Sequence, residues 1–335
     1  MDDWLIYRGT GEPDPERMSL LPEAPAWRRF DGTVVPYEVP PVDSTTRRRL
    51  GNGAGAPKVH SEAAVELVNA ALYLRRPLLV TGEPGSGKST LAHAVAHELG
   101  LGRVLQWPVV SRTTLRDGLY QYDAIGRLQD SQLGPGDGGA QPDGIGRYIR
   151  LGPLGTALLP TERPRVLLVD ELDKSDIDLP NDLLHVLEEG EFTIPELERI
   201  ADRQPETTVL TDDGARIAVH GGKVRCRAFP FIVITSNGER DFPAALLRRC
   251  LSLELSAPGP AQLAALVEAH FGPGGEDRNH ALIERFVQSA AAGELRPADQ
   301  LLNAIFLVQL ASGGDAVQRG ELIDMLMRPI APRYR

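Results

Sequence analysis

Hydrophobic periodicity starts near His60. Across 61–74, Ala64, Leu67, Val68 and Leu72 recur at helical spacing on one face, and Ser61 stands where an N-cap would. The short apolar run Leu78-Leu-Val80 then reads as a buried strand, followed by a glycine-rich loop and a helix over about 88–99 that stops at Gly100. Further strands are predicted at 103–110, 165–169, 229–235 and 250–255, with Pro108 marking the end or edge of the first. A helix is expected over 148–159 and an amphipathic one over 178–189. Between 191 and 222 the turn signal Asp212-Asp213-Gly214, flanked by alternating runs, predicts a hairpin. After Pro258 strands give way to helical segments at 259–271, 277–292, 297–312 and 319–329. Residues 1–57 keep no period. They are proline-rich and carry Trp4, Tyr7, Trp27, Phe30 and Tyr37, which is too aromatic for a plain disordered tail, so an arm packed on the core or on a neighbour is expected. Residues 129–147, rich in Gly, Pro and Asp, read as a flexible insertion. The pattern gives three units: an arm over 1–57, an αβ core over 58–256 and a helical lid over 257–335. Alternating strands and helices in the core imply an α/β fold with a parallel sheet covered on both faces.

Composition narrows the class. The 335 residues are 42% hydrophobic and 24% charged, ordinary for a globular chain with room for two domains. A net charge of −10 lacks the basic footprint of a nucleic-acid binder. The Arg47, Arg48, Arg49 run reads first as solvated surface, and second as a partner or phosphate contact. Cys226 and Cys250 show no metal spacing and read as reduced, partly buried thiols. With no signal-like N-terminus and no apolar run near ~20 residues, a cytoplasmic location without membrane contact is expected.

The chemistry concentrates in a few strings. Gly82-Glu83-Pro84-Gly85-Ser86-Gly87-Lys88-Ser89-Thr90 lies between a strand and a helix, the context of a phosphate-binding loop. Its glycines let backbone N–H groups turn inward, and the helix N-terminus adds partial positive charge. Lys88 is expected to reach the β- and γ-phosphates and Ser89 to ligate Mg²⁺. In Val166-Leu-Leu-Val-Asp170-Glu171 an apolar strand ends in two acids, where such sheets gather ligands. Asp170 is read as the second Mg²⁺ group and Glu171 as the base acting on water. Asn237, after another apolar strand, can orient that water, or serve as a turn former before Gly238. Arg248 and Arg249 suit either transition-state charge or a solvated face, and Arg296 is unremarkable alone. No Asn-Lys-x-Asp string selects guanine, and the Arg-rich lid of a nucleotide kinase is missing.

The ordered set of the Gly82 loop, Asp170-Glu171, Asn237, Arg248-Arg249 and then Arg296 resembles the AAA+ ATPases. Within them it is similar to the MoxR group, through the stretch from Arg76 to Ser89, Gly152-Pro-Leu, and Leu183-Leu-His-Val-Leu-Glu-Glu-Gly-Glu-Phe. The resemblance covers about 58–312. It implies the AAA+ strand order, ATP with Mg²⁺, Asn237 as sensor 1 and Arg296 as sensor 2. It also implies an arginine finger, Arg249 with Arg248 close behind, given in trans to the next subunit of a ring, usually a hexamer. Residues 178–197 would correspond to the helix-2 insert and 206–228 to the hairpin before sensor 1. The function implied is an ATP-driven remodeller or activator of a client protein, with a slow nucleotide-gated switch of a bacterial defence-type system as the alternative. The chain departs from the pattern in its long arm, in the 129–147 insertion, and in Leu295-Arg296-Pro297, where Pro-Arg is the commoner order.

Overall fold

The computed structural model describes residues 4–51, 61–132, 144–291, 297–310 and 325–326. In chain order the elements are α1 (Ser44–Leu50), α2 (Glu62–Leu74), β1 (Leu78–Gly82), α3 (Lys88–Glu98), β2 (Leu105–Pro108), α4 (Leu115–Leu119), β3 (Tyr120–Tyr122) and α5 (Ala124–Gln132). They continue with β4 (Ile149–Leu151), α6 (Pro153–Ala157), β5 (Val166–Asp170), α7 (Asp178–Glu189), β6 (Glu191–Thr193), α8 (Pro195–Glu198), β7 (Glu206–Leu210), β8 (Arg216–His220) and β9 (Lys223–Arg225). The last are β10 (Phe231–Ser236), α9 (Ala244–Leu247), β11 (Leu251–Leu255), α10 (Pro260–Phe271), α11 (Gly275–Ala291) and α12 (Ala298–Leu310).

Five strands pair in the order β11-β1-β10-β5-β2, every neighbour parallel. Parallel strands need crossovers, and helices on the faces demand apolar side chains on both sides. The strands comply: Leu78, Val80, Leu167, Leu168, Ile232 and Val233 are all buried. One apolar layer, with α3 and α2, packs Val68, Leu72, Leu91 and Val95 on one face. The other face packs against Leu154, Leu158, Leu183 and Leu187. Register places the C-terminal ends together: Val80 lies opposite Thr235, and Ile234 opposite Val169. A second, mostly antiparallel sheet has the order β3-β4-β7-β8-β9-β6 and includes the hairpin predicted around Gly214. A third apolar cluster joins α10, α11 and α12 through Leu263, Val267, Ile283, Phe286 and Leu301.

The region 148–159 is not one helix. Residues 149–151 form β4, with alternating burial and pairing to β3 and β7, and only 153–157 is helical. The separator is Gly152-Pro153. Proline starts a helix well but biases the preceding residue to extended backbone, so the strand ends there and a new helix begins. The reading of 129–147 as a loop also needs correction at its start, because α5 runs to Gln132. Most of the remainder of that segment, all but a few residues of the helix expected at 319–329, and Arg296 lie outside the described residues. Cys226 and Cys250 are buried and unpaired with each other, and burial pushes both thiols up to about 12, which suits inert core residues.

The arm binds along the core by specific polar contacts. Glu98 ends α3 and is 1% exposed. An acid there opposes the helix dipole. Four arm N–H groups answer it: Arg8 and Gly9 donate to Oε1 at 2.6 and 3.2 Å, and Thr10 and Gly11 to Oε2 at 2.8 and 3.2 Å. Asn69 on α2 accepts from the N–H groups of Ile6 and Tyr7. Further on, Arg28 is buried against the rings of Phe30 and Phe229 and donates to the carbonyls of Leu187 and Glu188. Glu98→Gln removes the charge and replaces one acceptor with a donor. The expected cost is about 2 kcal/mol of unfolding free energy in urea, with earlier proteolytic release of the arm.

The helix α1 closes the arm. Asp43 caps it by accepting from Thr46 N–H, and Thr46 Oγ1 lies 2.8 Å from His93 Nδ1 on α3. Burial pulls the His93 imidazole down to about 4, and the charge of Arg49 adds to that against Asp43 and Asp170. The folded value lies below the unfolded ~6.5, so the unfolded chain takes up a proton that the fold resists. Stability is full above pH ~6.5 and falls as pH drops toward 4, by about 3 kcal/mol at most for this group. A His93→Gln variant should flatten the melting temperature across that window, measured side by side with the wild type.

Candidate functional site

Three strand ends and one helix start meet at the C-terminal edge of the parallel sheet, the place where such sheets bind ligands. The loop after β1 curls because glycine accepts left-handed backbone. Gly87 caps α3 at φ 89°, and Gly85 at φ 83° is so close to the start of α12 that a Cβ would sit 2.5 Å from Pro297 Cα. Lys88 is 7% exposed and donates to the carbonyls of Gly82 and Glu83 at 2.7 and 2.8 Å. Burial lowers its pKa, and the carboxylates of Asp173, Asp170 and Glu171 act in the opposite sense. Ser86 Oγ is buried with no hydrogen-bond partner among the described residues. An unpartnered buried hydroxyl in a glycine-rich loop at a helix N-terminus fits a phosphate oxygen.

Asp170 Oδ1 accepts from two hydroxyls, Ser89 Oγ and Thr235 Oγ1, each at 2.7 Å. Thr235 Oγ1 in turn accepts from the N–H of Glu171 at 2.8 Å. That bond belongs to a turn at φ 61°, unusual for a side chain other than glycine, which directs Glu171 away from the strand line. Glu171 Oε1 accepts from Asn237 Nδ2 at 3.2 Å, and Oε2 pairs with Lys174 Nζ at 2.5 Å. Asn237 is itself fixed from behind, since its N–H and that of Glu239 both donate to the buried Asp173 Oδ2. The hydroxyl and carboxylate oxygens of Ser89 and Asp170 suit a hard cation that keeps most of its ligands as water and phosphate. Among the described residues no group of three or more His, Cys, Asp or Glu forms a protein cage for a metal.

These residues open onto a cleft of about 430 Å³, lined by 84–90, Asp170, Glu171, Thr235 and Asn237 on the core side. Pro258, Leu266 and His270 around α10, and Ala298, Asp299 and Leu302 on α12, complete it with Arg48 and Arg49 of α1. A larger cavity of about 680 Å³ lies between 31–35 of the arm and the strands β6, β8 and β9. It holds no comparable convergence of phosphate cradle and acids. The arginines expected to serve as a finger are elsewhere. Arg249, just past α9, donates to Glu188 Oε2 at 3.0 Å and to Ala245 O at 3.1 Å. Among the described residues the side chain of the exposed Arg248 reaches Ala244 O of α9, at 3.3 Å. Neither lines this chain's cleft.

Sequence reasoning passed over Thr235, Asp173 and Lys174. Thr235 had a legible signal, being the polar residue that ends an apolar strand just before Ser236 and Asn237. Asp173 and Lys174 had none, because their roles come from the turn after β5.

A parallel sheet with a phosphate-binding loop after β1 and an acid pair at the end of β5 defines a P-loop nucleoside triphosphatase core. The family model described as AAA domain (dynein-related subfamily) matches residues 77–250, more than half of the chain, and the chain belongs to that family. Over 116 residues it is also 27% identical to two proteins of Mycobacterium tuberculosis. These are Hydrolase MT0498 of strain CDC 1551 / Oshkosh and Hydrolase Rv0480c of strain ATCC 25618 / H37Rv. The match takes in 34% of this chain and 41% of each relative, so the chain spans about two fifths of the length of the curated relatives it matches. Among the described residues no helix is long and apolar enough to cross a membrane.

Proposed function

We infer that this AAA-family chain binds ATP with Mg²⁺ in the cleft at Lys88, hydrolyses it, and works as a ring-forming remodeller or activator of a partner protein, in the manner of the MoxR-like group. The observation that carries the reading is the connected set Ser89–Asp170–Thr235–Glu171–Asn237, five residues from three motifs joined by hydrogen bonds. Lys88 and the loop N–H groups hold the phosphates. Mg²⁺ held by Ser89 and Asp170 would neutralise phosphate charge. Glu171, oriented by Asn237, takes a proton from the attacking water. The division into arm, core and lid is part of the same reading, with α10, α11 and α12 as the lid. Arg249 or Arg248, outside its own cleft, would complete a neighbour's.

The ion pair between Glu171 and Lys174 favours a second reading. A base already occupied by an ammonium group suits slow hydrolysis, as a nucleotide-gated switch would need. Light scattering with and without a non-hydrolysable ATP analogue tests assembly. Growth toward six copies is expected with the analogue, and a monomer under both conditions would overturn the ring. Turnover that rises when a partner captured by the assembled form is added back supports the remodeller. Assembly that depends on ATP with turnover unmoved by that partner supports the switch.

A further inference from the structure

The arm supplies part of the lining of the cleft. The helix α1 is wedged between the core and the helical unit. Thr46 meets His93 of α3, and at Gly51, just past the helix, a Cβ would lie 2.4 Å from Ala269 O of α10. That position puts the last turn of α1 on the rim of the cleft, and both Arg48 and Arg49 line it. Neither guanidinium has a hydrogen bond or ion pair among the described residues. By contrast, every guanidinium nitrogen of the buried Arg28 donates to a backbone carbonyl. Two arginines whose guanidinium groups have no partner among the described residues therefore share the lining of one cleft with the phosphate loop. Their donors form a planar fork that matches phosphate oxygens.

We propose that Arg48 and Arg49 bind the phosphate chain of the nucleotide in cis, so that the arm forms a second cationic wall opposite Lys88 and is fastened by the nucleotide it helps to hold. This rests on the reading of the cleft as an ATP site. The remaining arginine of the run, Arg47, does not line the cleft, which makes it an internal control of the same charge on the same helix.

The test is calorimetric titration of Mg-ATP and of inorganic tripolyphosphate into wild type, Arg47→Ala, Lys88→Ala and the double variant Arg48→Ala/Arg49→Ala. Matching thermal melts establish that each variant is folded, and the Arg48→Lys/Arg49→Lys pair replaces the truncation if the double variant melts early. The double variant is expected to bind both ligands about tenfold more weakly, and Arg47→Ala within about twofold of wild type. Nucleotide should also slow tryptic cleavage after Arg48 and Arg49 in the wild type. Equal ATP affinity in the double variant and Arg47→Ala would overturn the proposal. So would a loss for ATP with none for tripolyphosphate, which places the arginines on the base. If wild type binds no ATP, or Lys88→Ala binds as well as wild type, the ATP reading itself fails, and the proposal falls with it.

Discussion

Glu171→Gln is expected to bind ATP as wild type does and to turn it over about 10²–10⁴ times more slowly. The substitution keeps the shape of the side chain and its contact with Asn237 Nδ2 but removes the basic oxygen. Thr235 still holds the backbone N–H of residue 171, so the turn that aims the side chain is preserved. In the proposed reading binding rests on Lys88 and the loop amides, which the change leaves alone. A steady-state assay with a separate binding titration divides the two effects. Equal turnover in the two proteins would remove Glu171 as base and would shift attention to a water held by other groups.

Arg249→Ala should leave ATP binding intact and reduce hydrolysis by about 10³-fold, the scale of an arginine finger. The geometry sharpens this expectation. Arg249 and Arg248 lie outside their own cleft, so a catalytic effect of either requires another copy of the chain. Arg249 is held toward α7 by Glu188 and bonded back to Ala245 O of α9, an orientation that a flexible surface arginine would lack. Mixing Arg249→Ala with Lys88→Ala pairs an intact finger with an intact cleft at some junctions. Partial recovery of turnover in the mixture is the predicted outcome. An assembled mixture with no recovery would count against action in trans.

Much of the fold could be read from the chain because its central strands are apolar on both faces and bounded by glycine or acids. The runs at Leu78, Val166 and Phe231 could only be buried parallel strands once the helices between them were seen. The phosphate loop was equally legible, since backbone curvature leaves its glycines in the sequence. What stayed hidden depends on tertiary contact. The strand at 149–151 is three residues long and gains its identity from pairing with β3 and β7. The arm lacks periodicity because it is held by single contacts, such as Glu98 on four N–H groups, rather than by a repeating face. The arginines at 47–49 look alike in sequence. That Arg48 and Arg49 line the cleft and Arg47 does not follows from the rotation of α1, which the contact of Thr46 with His93 helps to set.

The central claim is that Lys88 and the loop around it hold ATP. Titrating Mg-ATP into wild type and Lys88→Ala tests it most directly, with the fold of both verified by thermal melting. One ATP bound per wild-type chain and no measurable binding to Lys88→Ala are expected. Equal affinity in the two proteins would contradict the claim.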